Sequence, residues 1–100
     1  MSKILNILIT EKAKEDIVKI SDYIAKDNPK VAIDTIILFE KTFKMLALFP
    51  NAGVNKAILK DKSVLIYNVK KLYSIAYRIN KNNIEIVRIL THYQDIFAIL

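Results

Sequence analysis

The sequence predicts an α+β fold in which an N-terminal strand and an antiparallel helix hairpin pack on a twisted antiparallel sheet. Residues 4–9 form a short apolar run, residues 11–49 space their apolar side chains as helices do, and residues 64–90 are rich in β-branched and aromatic residues. The predicted element order is β-α-α-β-β-β. A chain of 100 residues is typical of one core, so we expect a single domain over residues 1–100.

A strand and a helix follow each other directly at the N-terminus. The apolar run of residues 4–9 is followed by Thr10, whose hydroxyl can cap the next helix. The negative charge of Glu11 is favourable in the first turn of that helix. The apolar residues after it recur at spacings of four, three and four, which predicts one buried helix face: Ala13, Ile17, Ile20 and Ile24.

A second, longer helix begins after a break at Asp27. Asn28 is a suitable N-cap, and Pro29 suits the first helical position because its missing N–H is not needed there. The four-three-four-three spacing of its apolar residues extends through Ala32, Ile36, Phe39, Phe43 and Leu46. A link this short predicts an antiparallel hairpin. The hairpin ends at residues 50–53, where we expect Gly53 to adopt a left-handed turn.

Residues 64–69, 72–79 and 84–90 predict three strands of an antiparallel meander. Lys70 and Lys71 form the first turn, and we expect asparagines of residues 80–83 to provide left-handed geometry in the second. Alternation along the middle strand places one set of side chains toward the helices: Tyr73, Ile75, Tyr77 and Ile79. The opposite set is small or charged, which predicts an uncovered outer face that could receive a partner: Ser74, Ala76 and Arg78.

The net charge of +6 is concentrated in the second half of the chain. Residues 1–50 carry eight basic and seven acidic side chains, whereas residues 51–100 carry eight and three. This imbalance favours an acidic partner, such as nucleic acid, a nucleic-acid enzyme or an acidic peptide. A solvated lysine-rich surface explains the charge equally well.

Several classes of chemistry lack the residues they need. The chain has no cysteine, one histidine and one glycine, so it offers no disulfide, no transition-metal cluster and no glycine-rich phosphate loop. We expect no metal and no cofactor. An apolar run of about 18 residues, which a membrane span requires, is not present in the sequence. We therefore expect a cytoplasmic, unprocessed protein without a membrane partner.

One catalytic constellation remains possible. A histidine, a tyrosine and two arginines could cleave a phosphodiester bond by acid–base catalysis with cationic charge stabilisation: His92, Tyr93, Arg78 and Arg88. The alternative is structural, because a tyrosine at a strand end usually packs and arginines on a sheet often form salt bridges. We favour no catalytic residue.

Four segments together resemble the ParE branch of the RelE/ParE toxin superfamily, the plasmid-stabilisation toxins of bacteria. Residues 20–32, ISDYIAKDNPKVA, resemble the stretch that joins the two helices in ParE-type toxins, and residues 48–53, LFPNAG, resemble the exit of the second helix. Residues 73–79, YSIAYRI, and residues 84–90, IEIVRIL, resemble two of the strands. The similarity runs in the same order over nearly the whole chain.

The resemblance implies a RelE-like fold and a type II toxin–antitoxin pair, in which a small antitoxin wraps the toxin. RelE and YoeB relatives cut messenger RNA on the ribosome, whereas ParE relatives inhibit DNA gyrase. RelE-type toxins carry an arginine at the position of Ser74, where it stabilises charge at the phosphate. Gln94 and Thr91 stand where ParE relatives usually have arginine and histidine, and Lys60 and Lys62 stand where an arginine is usual.

Three hypotheses follow. The first is a gyrase inhibitor that is not an enzyme and is neutralised by a cognate antitoxin. The second is a ribosome-dependent endoribonuclease of the RelE/YoeB type, and the third is a non-toxic or decayed antitoxin-binding module. For partner binding we predict a set of basic and polar side chains: Arg78, Arg88, Lys60, Lys62, Lys70, Lys71 and Gln94.

Overall fold

The computed structural model describes residues 4–56, 59, 62–92, 94 and 99–100. Its elements follow the predicted order: β1 (Asn6–Ile9), α1 (Glu11–Ala25), α2 (Pro29–Leu48), a 3₁₀ turn (Pro50–Ala52), β2 (Leu65–Val69), β3 (Tyr73–Asn80) and β4 (Asn83–Thr91). The strands form one sheet in the order β1-β4-β3-β2. The predicted α+β fold is therefore confirmed. Among the described residues, no helix is both long and apolar enough to cross a bilayer.

The antiparallel description holds for the meander of β2, β3 and β4. β1 adds a fourth strand that pairs with β4 in parallel, with Asn6 opposite Asn83 and Ile9 opposite Ile86. The sheet is consequently mixed. A parallel pair cannot be joined by a tight turn, and here the connection from β1 to β4 contains the helix hairpin, β2 and β3.

Both helices begin at the predicted caps. The Thr10 hydroxyl accepts a hydrogen bond from the Ala13 N–H at 3.1 Å, and the side-chain oxygen of Asn28 accepts one from the Val31 N–H at 3.2 Å. Pro29 occupies the start of α2. Each cap satisfies one of the amide donors that a helix N-terminus leaves without an intrahelical partner. The short link between α1 and α2 is thus defined by local chemistry.

The main core lies between the helix hairpin and one face of the sheet. Phe39, Phe43 and Leu46 of α2 belong to the same buried cluster as Ile75 and Tyr77 of β3. The rings of Phe39 and Tyr73 meet edge to face, with centroids 5.1 Å apart, a favourable geometry for aromatic pairs. The predicted inner face of β3 is confirmed except at its end, where Ile79 is exposed.

Lysines provide the left-handed residues of both hairpin turns. Lys70 and Lys71 have φ angles of 52° and 60°, which fits the tight turn expected between β2 and β3. In the second turn, Lys81 has a φ of 59°, and no asparagine there does. The prediction of left-handed asparagines is wrong. The strand register, with Asn80 opposite Asn83, places Lys81 at the first turn position, where positive φ is needed.

The left-handed prediction for Gly53 is also wrong, because its φ is −77° and its backbone is extended. Glycine is required there for space: a Cβ atom would lie 2.6 Å from the Tyr77 hydroxyl oxygen. That hydroxyl donates to the Pro50 carbonyl at 2.7 Å and accepts from the Gly53 N–H at 2.7 Å. Through these two hydrogen bonds, Tyr77 holds the segment after α2 against the centre of the sheet.

We expect Tyr77 to make the stability of the protein fall in alkaline solution. Burial raises the pKa of the Tyr77 phenol above its ordinary value of 10.0, the Gly53 N–H lowers this pKa, and nearby Tyr67 raises it. A pKa raised by folding gives stability that is complete below pH 10.0 and is lost as the pH rises through the folded-state pKa. Tyr73 acts in the same direction, because burial raises its pKa too.

Denaturant titrations at a series of pH values test this expectation. Tyr77→Phe should be less stable than the parent at neutral pH and should lose less further stability above pH 10.0. Tyr23→Phe is the control, since that ring lies in solvent. Equal alkaline losses in the parent and in Tyr77→Phe would contradict the assignment.

Candidate partner-binding surface

The outer face of the sheet is partly covered by the chain itself. Ala76 of β3 has an exposed fraction of 0% and lies in a second apolar cluster with Leu59, Val64 and Ile66, against which Leu100 packs. The prediction of an uncovered outer face is wrong at this central position. A backbone bridge between Val54 and Ile66 brings the segment after α2 back along β2, so part of that segment can lie over the sheet.

A groove of about 390 Å³ remains beside this cover. Its apolar lining includes Leu59, Val64 and Leu100. Its basic lining comes from three elements: Lys12 of α1, Arg78 of β3 and Arg88 of β4. We call this the outer groove. It brings together both arginines that the sequence singled out.

Each arginine of the outer groove is held by a carboxylate. Arg78 lies directly opposite Glu85 on the neighbouring strand and donates from Nε to Glu85 Oε1 at 2.7 Å. The Arg78 side chain is 35% exposed and that of Glu85 is 19% exposed. Oppositely charged residues facing each other across strands stabilise the pairing. Arg78 thus contributes to the sheet itself, in addition to any role with a partner.

Arg88 forms a two-pronged ion pair with Asp16 of α1. Its Nε donates to Asp16 Oδ2 at 2.8 Å, and its Nη2 donates to Asp16 Oδ1 at 2.9 Å. Asp16 Oδ2 also accepts the Ile89 backbone N–H at 2.9 Å. The side-chain exposure is 19% for Arg88 and 8% for Asp16. The hydrogen bond to Asp16 raises the pKa of Arg88 above its ordinary value.

Beyond the end of β1, the edge of β4 has no neighbouring strand, and side chains bond to its backbone instead. The Thr10 hydroxyl donates to the Val87 carbonyl at 2.9 Å, and Asp16 accepts the Ile89 N–H. Gln94 Oε1 accepts the Thr91 N–H at 2.9 Å. An open strand edge would invite pairing with another chain. The predicted partner-binding residue Gln94 therefore already has a structural role at the strand end.

A second groove, of about 420 Å³, is lined by residues of α1, of the β2–β3 turn and of the C-terminal end of β4. We call it the helix groove. Tyr23, Leu72 and Ile89 give it apolar walls, while Lys19 and His92 contribute polar groups. The His92 backbone N–H donates to the Leu72 carbonyl at 3.0 Å, which fixes this segment beside the β2–β3 turn. Leu72 and Tyr23 are both exposed.

The possible catalytic residues are divided between the two grooves. Arg78 and Arg88 line the outer groove, and His92 lines the helix groove. Tyr93 and Lys60 fall outside the described residues. Neither groove therefore contains all the described members of the predicted constellation, although Asp16, the ion-pair partner of Arg88, lines the helix groove with His92.

The remaining predicted lysines lie in turns at the surface. Lys70 and Lys71 form the exposed tip of the β2–β3 hairpin, and Lys62 lies in the turn before β2. Such positions suit long-range electrostatic attraction, because the charges can approach a partner before close docking. In the part of the chain that the structure describes, no group of three or more histidine, cysteine, aspartate or glutamate side chains could hold a metal ion.

Two important residues were missed from the sequence. Lys12 is not among the predicted site residues, but it lines the outer groove. Asp16 was overlooked, although a signal was present: it lies three residues after Ala13 and four before Ile20, within the predicted apolar face. An acidic residue in such a face needs a buried partner, and Arg88 supplies it.

These features define a small α+β protein with a basic groove on the sheet and a separate apolar groove beside α1. The model of the ParE toxin family of type II toxin–antitoxin systems, parDE, matches residues 7–96. The chain belongs to this family. No curated protein sequence gives a significant match.

Solved structures show the same fold at low sequence identity. The chromosomal ParDE system of P. aeruginosa matches with a TM-score of 0.73 and 22% identity, over 88% of this chain and 96% of that chain. The toxin–antitoxin complex RelBE2 of Mycobacterium tuberculosis gives 0.63 and 15%, over 94% and 98%. A conserved hypothetical protein of Helicobacter pylori gives 0.58 and 14%, over 90% and 97%.

Proposed function

We propose that this toxin acts by binding DNA gyrase, without cleaving RNA, and that a cognate antitoxin neutralises it in the cytoplasm. The observation that carries the proposal is the match to the ParE family over residues 7–96. ParE-type toxins are the gyrase-directed branch that the sequence resembles. Three features of the described residues also oppose cleavage.

The first argument concerns Ser74, which occupies the position of the charge-stabilising arginine in RelE-type toxins. Its hydroxyl donates to the side-chain oxygen of Asn68 on β2 at 2.9 Å. A neutral hydroxyl in this position gives little stabilisation to a developing phosphorane charge, an effect worth several kcal/mol when a cation provides it.

The second argument concerns Arg88, which is committed to Asp16 by two hydrogen bonds. Turning this guanidinium toward a phosphate would leave the Asp16 carboxylate, 8% exposed, without its countercharge. Leaving a buried charge unpaired costs several kcal/mol. Arg88 therefore supports the fold better than it supports catalysis.

The third argument concerns His92, which lines the helix groove, whereas both arginines line the outer groove, and Arg88 meets the helix groove only through its partner Asp16. General acid–base catalysis needs the proton-transferring group and the charge-stabilising groups around one reacting atom. Here they line different grooves. Binding makes no such demand, because it requires no common reacting atom.

Among the predicted partner-binding residues, the turn lysines best fit recognition of an acidic antitoxin. Exposed charges of this kind raise the association rate more than the final affinity. We expect the double variant Lys70→Gln/Lys71→Gln to bind its antitoxin severalfold more slowly, with a weaker dependence of the rate on salt. Stopped-flow binding measures both quantities.

A matched pair of lysines on α2 provides the control. Lys41→Gln/Lys44→Gln also removes two positive charges, but from the exposed face of that helix. An association rate lowered equally by both double variants would show that only net charge matters, and it would remove the hairpin tip from the proposed binding surface.

Inducible expression in bacteria tests the proposed function. We expect growth to stop with DNA synthesis failing before protein synthesis, and growth to resume when the antitoxin is co-expressed. His92→Ala should be as toxic as the parent. Primer extension on ribosome-bound messages should show no new ends.

The same experiment identifies the alternatives. New message ends that disappear in His92→Ala would indicate an endoribonuclease. Unaffected growth would indicate a non-toxic antitoxin-binding module. Either result would replace the proposed gyrase inhibition.

A further inference from the structure

The sheet has open strand edges at three places: along β2, along β1, and along β4 beyond the end of β1. Groups of the chain itself already fill the edges of β2 and β4. Side chains occupy the edge of β4 beyond Ile9, as described above. On β2, Val54 exchanges two backbone hydrogen bonds with Ile66, at 2.8 and 2.9 Å. Hydrogen-bonding direction alternates along a strand, so Ile66 and Asn68 are the residues of β2 whose backbone groups point away from β3. The bridge satisfies Ile66 and leaves only Asn68. Natural sheets commonly protect their edges in such ways.

In the part of the chain that the structure describes, the outer edge of β1 has no such protection. Asn6 donates to the Asn82 carbonyl at 2.8 Å and Thr10 donates to the Ile86 carbonyl at 3.1 Å, so the even-numbered residues bond to β4. The backbone groups of Ile7 and Ile9 consequently point away from the sheet. Within the described residues, none of their N–H or C=O groups has a hydrogen-bond partner.

The side chains of β1 also lack the usual features of a protected edge. Asn6–Ile9 contains no charge and no proline, the residues that most often prevent edge pairing. Leu8 projects from the opposite side of the strand to Ile7 and Ile9 and is 46% exposed. An uncharged, apolar edge of this kind is suited to receive another strand.

We propose that β1 pairs antiparallel with β1 of a second copy of this chain, about a twofold axis at Leu8. In this register Ile7 faces the partner's Ile9, and Ile9 faces the partner's Ile7. Each pair exchanges two hydrogen bonds, so all four outward N–H groups and all four outward C=O groups of the two strands are used. The two sheets then form one continuous eight-stranded sheet.

The neighbouring registers satisfy fewer groups. An axis at Ile7 would place Ile9 opposite the partner's Leu5, but the Leu5 N–H is already bonded to the Ala47 carbonyl at 3.2 Å. An axis at Ile9 would place Ile7 opposite Glu11, which belongs to α1. The register centred at Leu8 is therefore self-complementary, as a twofold interface requires.

Leu8 is the side chain that this pairing covers. It would face its own counterpart in a non-hydrogen-bonded pair, where Cα atoms approach to about 4.5 Å. Two four-residue strands form a small contact, which places the association among weak, transient interfaces of less than about 1,200 Å². The inference does not depend on the target of the toxin.

A single introduced cysteine tests the register, because the chain contains no cysteine of its own. Under mild oxidation Leu8→Cys should give on the order of tenfold more disulfide-linked dimer than Asn6→Cys, since disulfides need Cα atoms within about 7 Å. The two positions 6 would lie about 13 Å apart along the strand. Ile33→Cys on α2, also exposed, measures random collision.

Amide exchange of the unmodified chain provides a second measurement. With rising protein concentration, the N–H groups of Ile7 and Ile9 should exchange more slowly, and Leu8→Lys should remove this effect because it places like charges face to face. Ile33→Lys should not. Crosslinking of Leu8→Cys no greater than that of Ile33→Cys, with exchange independent of concentration, would overturn the proposal. Protection that appears only with the antitoxin would do so too, by assigning the edge to an antitoxin strand.

Discussion

Asp16→Ala should destabilise the protein by about 3–5 kcal/mol, the usual cost of breaking a buried ion pair by removing one partner. The substitution leaves Arg88 without its countercharge and the Ile89 N–H without its acceptor. It also opens the edge of β4 that Asp16 covers. Denaturant unfolding, followed by circular dichroism, measures the free energy directly.

Two further variants separate charge from hydrogen bonding at this position. Asp34→Ala is the control, since its ion pair with Lys30 is exposed and such pairs contribute at most about 1 kcal/mol. The double variant Asp16→Asn/Arg88→Met keeps an acceptor for Ile89 and removes the cation, so it should be more stable than Asp16→Ala. Equal losses for Asp16→Ala and Asp34→Ala would refute the structural role of the pair.

Gly53→Ala should destabilise the protein by about 1–3 kcal/mol, the range for overpacking a well-packed core. The added Cβ would meet the Tyr77 ring, with Cε1 at 2.7 Å and the hydroxyl at 2.6 Å. Tyr77 cannot move away without losing its bonds to Pro50 and Gly53. Because the φ of residue 53 is −77°, alanine is not strained by its backbone there.

A double-mutant cycle with Tyr77→Leu isolates this contact. The shorter side chain removes the ring that the new Cβ meets, so Gly53→Ala should cost much less in that background. Ala52→Gly, one residue earlier in the exposed turn, controls for general changes in the flexibility of this segment. Additive losses in the cycle would show that the ring is not the obstacle.

Local chemistry allowed most of the fold to be predicted. Thr10 and Asn28 are strong N-caps, and Pro29 marks the start of α2, so both helices could be placed almost to the residue. The meander followed from alternating apolar residues and short turns. The bulge in the meander was not predicted, although a signal for it was present. Ile84, Ile86 and Ile89 break strict alternation, and the structure has a bulge there, with Ala76 opposite Arg88 and Tyr77 opposite Ile86.

Apart from the asparagines of the second turn, what failed depended on contacts between distant residues. Gly53 resembles a turn glycine until Tyr77 is placed 24 residues later against it. The cover over Ala76 comes from Leu59 and Leu100, and no periodic pattern links these positions. Asp16 and Arg88 are 72 residues apart, so their ion pair could not be predicted from the sequence. Each residue alone gave a signal, because each is a charged residue within an otherwise apolar stretch of its element.

Supercoiling by purified gyrase is the most direct test of the central claim that this ParE-family toxin acts by binding. The account predicts that the purified chain inhibits supercoiling in proportion to its concentration, that His92→Ala inhibits equally, and that added antitoxin restores activity. Unimpaired supercoiling, together with cleavage of ribosome-bound message by the parent but not by His92→Ala, would contradict it.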